Sequence, residues 1–332
     1  MSIEDQLLES PEPAIQWKTR VYVLGENPIK LRALQKKIKT SETVQRLLCE
    51  LGKSGVVYPP QAYAKWQGAH WIMAVLADIG YPTGDKSLKP VRDQLQETWL
   101  QQNFYTDFEA TSKVEAYKQQ GVPVMQGRHR RCASQQSNAL WAILKLDLVN
   151  DETHKLVERL LYWQWPDGGW NCDKNPAAIH SSFMESILPM RALALYGKEF
   201  SNDKATAASK RASEIFLKRE MYLGQRSGCV MRSEFTSLHY PLYWHYDILH
   251  GLKVIAESCL IHDKRCTRAL DLLEGKQLPD GGWPAEKKYY KCTDEVAPGN
   301  DYVDWGGTSK KKMNPWITVD ALYVLKQAGR IT

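Results

Sequence analysis

The sequence predicts an all-α protein built from paired helices, and three observations carry that expectation. The turn Trp165-Pro166-Asp167-Gly168-Gly169-Trp170 recurs as Leu278-Pro279-Asp280-Gly281-Gly282-Trp283, each time after a helix-forming run. Five segments share one helical register, and amphipathic stretches stand between them. A Pro-Asp-Gly-Gly turn stops a helix because its glycines accept positive φ, and the Trp that follows returns a large ring to the layer beneath.

In chain order, Ser10-Pro11-Glu12-Pro13 is a helix start, and Ile15, Val21, Val23 and Leu24 supply its apolar stripe. A basic helix is expected over 30–39 and another over 41–51, capped by Ser41. Together, 1–52 read as a helical N-terminal extension packed on a larger domain, 53–332. The segment Gly52-Lys53-Ser54-Gly55-Val56-Val57 stands where a degenerate copy of the turn is expected.

The five register segments begin at His70, Asn138, Glu185, Asp247 and Asp320. Their third positions are Ile72, Leu140, Ile187, Leu249 and Leu322, and their sixth are Val75, Ile143, Met190, Leu252 and Leu325. At 100° per residue these lie on one side of a helix, with the polar first position roughly opposite. The segments are therefore expected to be inner helices. Their aliphatic side meets an outer partner, expected over 87–102, 151–163, 203–221 and 262–276. The stretches 106–131, 224–241 and 292–314 read as long polar connections, a length that in a compact domain points to function.

Asp-Gly-Gly-Trp after a Leu/Tyr/Gln-rich helix resembles the repeat of the squalene/hopene cyclases and of the protein prenyltransferase β subunits. The resemblance covers most of the chain after about residue 50. It implies a single α/α toroid and a small hydrophobic or isoprenoid-like substrate in a central cavity.

Composition narrows the classes. There are twelve Trp against six Phe, a balance suited to rings packed between helices. The net charge of +6 is spread along the chain apart from Arg128-His129-Arg130-Arg131 and Lys310-Lys311-Lys312, so no nucleic-acid partner is expected. No leader-like or membrane-spanning run occurs, which predicts a cytoplasmic protein and leaves peripheral membrane contact open. Seven scattered cysteines without Cys-x-x-Cys pairs indicate neither a disulfide framework nor a zinc finger. Nucleotide loops, dinucleotide fingerprints, His-Glu-x-x-His and Gly-x-Ser-x-Gly are all missing.

Residues near the inner-helix starts are expected to converge at one rim. The most chemically loaded stretch is His239-Tyr240-Pro241-Leu242-Tyr243-Trp244-His245-Tyr246-Asp247. Asp247 and His245 are the acid/base candidates there, with His239, Tyr243, His70 and Glu185 around them. The bland alternative makes Glu185, Asp247 and Asp320 first-turn acids that complement helix dipoles. The cyclase resemblance implies acid-initiated chemistry, although Asp-x-Asp-Asp is missing. The prenyltransferase resemblance implies zinc, with Cys172, Asp173, His180 and His245 as its ligands, although that family's Asp-x-Cys spacing is not reproduced. A zinc-dependent transferase or hydrolase is thus the second reading, and a non-catalytic binding module the third.

Overall fold

The structure, a computed structural model, describes residues 1–48 and 64–331. The expected turn at Gly52 to Val57 and the 52/53 boundary lie outside them. Among the described residues the chain is mostly helical, with a few short strands and no closed sheet. It divides into two compact units, Met1–Asp85 with Leu217–Thr332, and Lys86–Phe216.

The first unit opens with α1 (Ile3–Leu8), α2 (Pro13–Lys18), α3 (Arg32–Lys39), α4 (Glu42–Leu48) and α5 (Ala69–Asp78). Glu12 caps α2 ahead of its N1 proline, and Ile15 is fully buried. Leu24, expected on the apolar stripe, is 43% exposed, because the helical path has ended at Val23.

The second unit contains α6 (Lys89–Trp99), α7 (Lys113–Lys118), α8 (Ala133–Lys145), α9 (Asp151–Tyr162), α10 (Phe183–Glu199) and α11 (Asp203–Leu217). Helix α8 is buried from Ala133 to Leu144 and packs on α10 and α9. Residues 106–131 are not the open polar connection expected. They form β1 (Asp107–Glu109), α7, β2 (Val122–Met125) and β3 (Arg128–His129), a sheet in order β1-β2-β3. Gln126 and Gly127 both take positive φ and make the two-residue hairpin between β2 and β3. Met125, Ala110 and Ala116 form a small core beneath. Strands of two to four residues are too short to announce themselves by periodicity.

The first unit resumes with α12 (Ile248–Glu257), α13 (Thr267–Glu274), the two-residue pair β4 (Lys291–Cys292) and β5 (Asn300–Asp301), and α14 (Pro315–Gln327). Helix α12 packs on α14 and α13, and α14 on α2. Among the described residues no helix is long and apolar enough to cross a membrane.

All five register segments fall on α5, α8, α10, α12 and α14, and their polar first positions are buried. The helix starts do not share that register, however. Asp247 is the N-cap of α12, whereas Asp320 is six residues into α14, because Asn314 caps that helix and Pro315 begins it. Asp320 is therefore not a first-turn acid. It belongs to a group of four charges, all buried except the half-buried Asp78, in which Lys18 Nζ lies 2.6 Å from Asp78 and 2.9 Å from Asp320. Lys253 Nζ lies 2.7 Å from Asp78 and 2.8 Å from Asp320. These side chains tie α2, α5, α12 and α14 together.

Each unit holds one copy of the repeated turn, and the two copies bond alike. Trp165 and Leu278 N–H each donate to the second glycine's carbonyl at 2.8 Å, and Gly168 and Gly281 N–H donate back at 2.9 Å. Gln164 and Gln277 side chains donate to the first glycine's carbonyl at 2.7 and 2.9 Å. The indole N–H of Trp170 donates to the Leu160 carbonyl at 2.9 Å, and that of Trp283 to Leu273 at 2.7 Å, ten residues back in both. Both indoles are completely buried. Gly168 sits at φ +103°, and a Cβ there would come within 2.5 Å of the Arg211 carbonyl, so only glycine fits.

Candidate functional site

Two groups of chemically active side chains stand out, one in each unit. In the first, the loop before α12 and the N-cap of that helix set an Asp and a His against each other. Asp247 is buried and caps α12 by accepting the His250 N–H at 2.8 Å. Its other oxygen faces His239 Nδ1 at 2.6 Å and accepts the His239 backbone N–H at 2.9 Å. Three N–H groups thus point at one carboxylate, which acts as acceptor throughout. That places the imidazole proton on Nδ1 and leaves Nε2 as the basic nitrogen. Nε2 is buried and hydrogen-bonds to nothing among the described residues.

Rings surround this pair. His245 stacks on Tyr289 with centroids 3.5 Å apart, and Tyr289 meets His239 edge-on at 5.0 Å. Trp66 lies 5.5 Å from His245 and stacks on Tyr243 at 4.9 Å. Trp71 packs edge-on against Trp66 and tilts against His70 at 4.2 Å. Asp247 therefore pairs with His239, while His245, expected as its acid/base partner, is a wall of the ring cluster. Burial, then the charges of His239, Lys65 and Lys287, lower the His245 pKa to about 3.

That shift has a measurable sign. In the unfolded chain a His takes up a proton near pH 6.5, whereas folded His245 does so only near pH 3. Its contribution is complete above the unfolded value and is lost as pH falls from there toward about 3. His245→Phe, which keeps the stacking, is expected to show a shallower fall in urea midpoint between pH 7 and pH 5 than the wild type. Equal falls would refute the assignment.

One residue of this cluster was not anticipated. Asp301 is buried, accepts the Tyr243 hydroxyl at 2.6 Å and the Trp305 indole N–H at 2.9 Å, and has its pKa raised by burial. Burial and Asp301 together push the Tyr243 hydroxyl well up. The sequence signal was an Asp inside the aromatic run Asp301-Tyr302-Val303-Asp304-Trp305, within a stretch read only as a connection. A separate cleft of the first unit, of about 520 Å³, is lined by Glu12, Lys37, Arg46 and Asp304 among others, and by none of these rings.

In the second unit, the Sγ atoms of Cys132 and Cys172 and a carboxylate oxygen of Glu185 lie within 4.8 Å of one another. Glu185 accepts the Ser134 N–H at 3.1 Å. A hydrogen bond with Cys132, burial and the Glu185 charge push the Cys172 thiol far up. The zinc set implied by the family resemblance is not assembled in this unit. Asp173 and His180 are exposed, Asp173 accepts the Asn175 N–H at 2.9 Å within its own turn, and the His180 carbonyl is held by Asn171 at 2.9 Å. His245 belongs to the other unit and is stacked on Tyr289. Cys132 and Cys172 are forty positions apart, beyond the reach of any short motif, so spacing alone does not pair them.

No protein-family profile matches the chain, and no curated protein matches it. Solved structures similar to it include an unsaturated glucuronyl hydrolase specific for heparin, with 12% identity, 96% of this chain and 84% of that chain covered, and a TM-score of 0.45. A type II terpene cyclase from Scytonema in complex with geranylgeranyl dihydroxybenzoate has 14% identity, coverage of 96% and 88%, and a TM-score of 0.41. The same cyclase with merosterolic acid A gives 14%, 99% and 86%, and 0.38.

Proposed function

We propose that the chain is an enzyme that performs acid/base chemistry on a hydrophobic, isoprenoid-like substrate at the His239–Asp247 pair. The observation that carries this reading is the buried His239 Nε2, without a hydrogen bond among the described residues, on a ring whose other nitrogen is fixed by Asp247. Asp247 orients the imidazole and stabilises the imidazolium that forms when Nε2 takes a proton; His239 then returns that proton to product or water. Tyr289 and His245 pack edge-on against His239, with Trp66 next to His245, an aromatic surrounding that suits an apolar chain and favours positive charge developing on it. Asp301, whose pKa is raised by burial, accepts the Tyr243 hydroxyl and the Trp305 indole N–H and so fixes rings of the same cluster.

The test is turnover of isoprenoid diphosphates and neutral polyenes by the wild type, His239→Gln and Asp247→Asn, with folding checked by circular dichroism. Each variant is expected to lose at least about 100-fold in turnover. No turnover by the wild type across the panel, or undiminished turnover by both folded variants, refutes the reading.

A further inference from the structure

We propose that Cys132, Cys172 and Glu185 form a zinc site in the second unit, with one coordination position left for water or a ligand. The three residues arrive from separate parts of the chain: Cys132 as the N-cap of α8, Cys172 just beyond the Trp170 turn, and Glu185 in the first turn of α10. Two thiolates and a carboxylate are a donor set that zinc accepts, and three protein ligands plus an open position is the arrangement of reactive rather than structural sites. With arms of about 2.3 Å, a tetrahedral ion would hold the sulfurs about 3.8 Å apart, inside the 4.8 Å within which the three ligand atoms already lie.

Charge supplies a second observation. Two thiolates, one carboxylate and a divalent ion sum to one negative charge, and the neighbouring guanidinium offsets it. Arg131 Nε and Nη2 are shielded from water and hydrogen-bond to nothing among the described residues, while the Phe104 ring covers the group at 3.9 Å. A guanidinium placed this way, in electrostatic contact with all three residues, is what an anionic complex beside it requires. The ligand set differs from the one the family resemblance implies and is independent of the His239–Asp247 pair.

The experiment is metal analysis of untagged protein loaded with zinc and dialysed, together with cobalt substitution. About one zinc per chain is expected, with a thiolate-to-cobalt charge-transfer band. Zinc content should fall to trace in Cys132→Ser and in Cys172→Ser, and the band should weaken in each. Should those variants fail to fold, alkylation mapping of the wild type decides. Cys132 and Cys172 are expected to react at least about tenfold faster once a chelator is added, whereas exposed Cys229 and Cys259 react equally with and without it. Zinc-free wild type after loading, unchanged zinc in both serine variants, unprotected Cys132 and Cys172, or a Cys132–Cys172 disulfide whose reduction restores no zinc binding would each overturn the proposal.

Discussion

Lys253→Met is expected to lower the stability of the protein by about 3–5 kcal/mol, read as a shift in the urea midpoint at constant slope. Lys253 Nζ bridges Asp78 and Asp320, and its side chain is 2% exposed. Methionine of similar length preserves the packing but leaves two acids facing Lys18 alone, with one negative charge uncompensated in a poorly solvated place. The buried quartet is no net stabiliser by that argument. Its desolvation cost is large, and the penalty appears when one member goes. Lys253→Met/Asp320→Leu removes a matched pair and leaves the 2.6 Å contact between Lys18 and Asp78 in place. The double variant is accordingly expected to recover most of the loss. Additive losses would show that the four charges do not act as a unit.

Trp170→Ala carries the other large effect, a loss of about 3–5 kcal/mol from emptying a fully buried aromatic site. Trp170→Phe separates the ring from its N–H. It keeps most of the apolar volume and gives up the bond to Leu160, so about 1 kcal/mol beyond the cost of the smaller ring is expected. Thermal unfolding followed by circular dichroism reads both. The same pair of changes at Trp283, bonded to Leu273, is expected to give the same ranking. A tolerated alanine at either position would remove the turn from the elements that hold its unit.

Periodicity made the helices legible. The shared register found α5, α8, α10, α12 and α14 because burial imposes an aliphatic repeat of 3.6 residues whatever the helix does at its ends. Asp151–Tyr162 follows the outer helix expected over 151–163 closely, since Asp151 and Glu152 mark its first turn. Helix starts were less legible: Asn314 and Pro315 begin α14 five residues ahead of the register, which moved Asp320 from a helix end to a buried ion group. Lys18 and Lys253 gave no signal, since a lysine bound for the interior looks like a surface one until its acid is found at 60 or 67 positions' remove. At the candidate site, His239, His245 and Asp247 were visible as one loaded stretch. That His239 rather than His245 meets Asp247 depends on how the loop folds back on its own cap, which no residue count encodes.

The twin turns also mark where this architecture accommodates change. On the helix side the spacing is rigid: ten residues separate the indole from its carbonyl in both copies. On the far side each Trp backbone N–H donates to a hydroxyl of the next helix, Ser186 sixteen residues on in one copy and Thr318 thirty-five residues on in the other. The same clamp therefore closes around inserts of very different length. The short insert carries Cys172 and the long one carries Asp301, so new chemistry can be spliced into that interval while the scaffold on either side keeps its register.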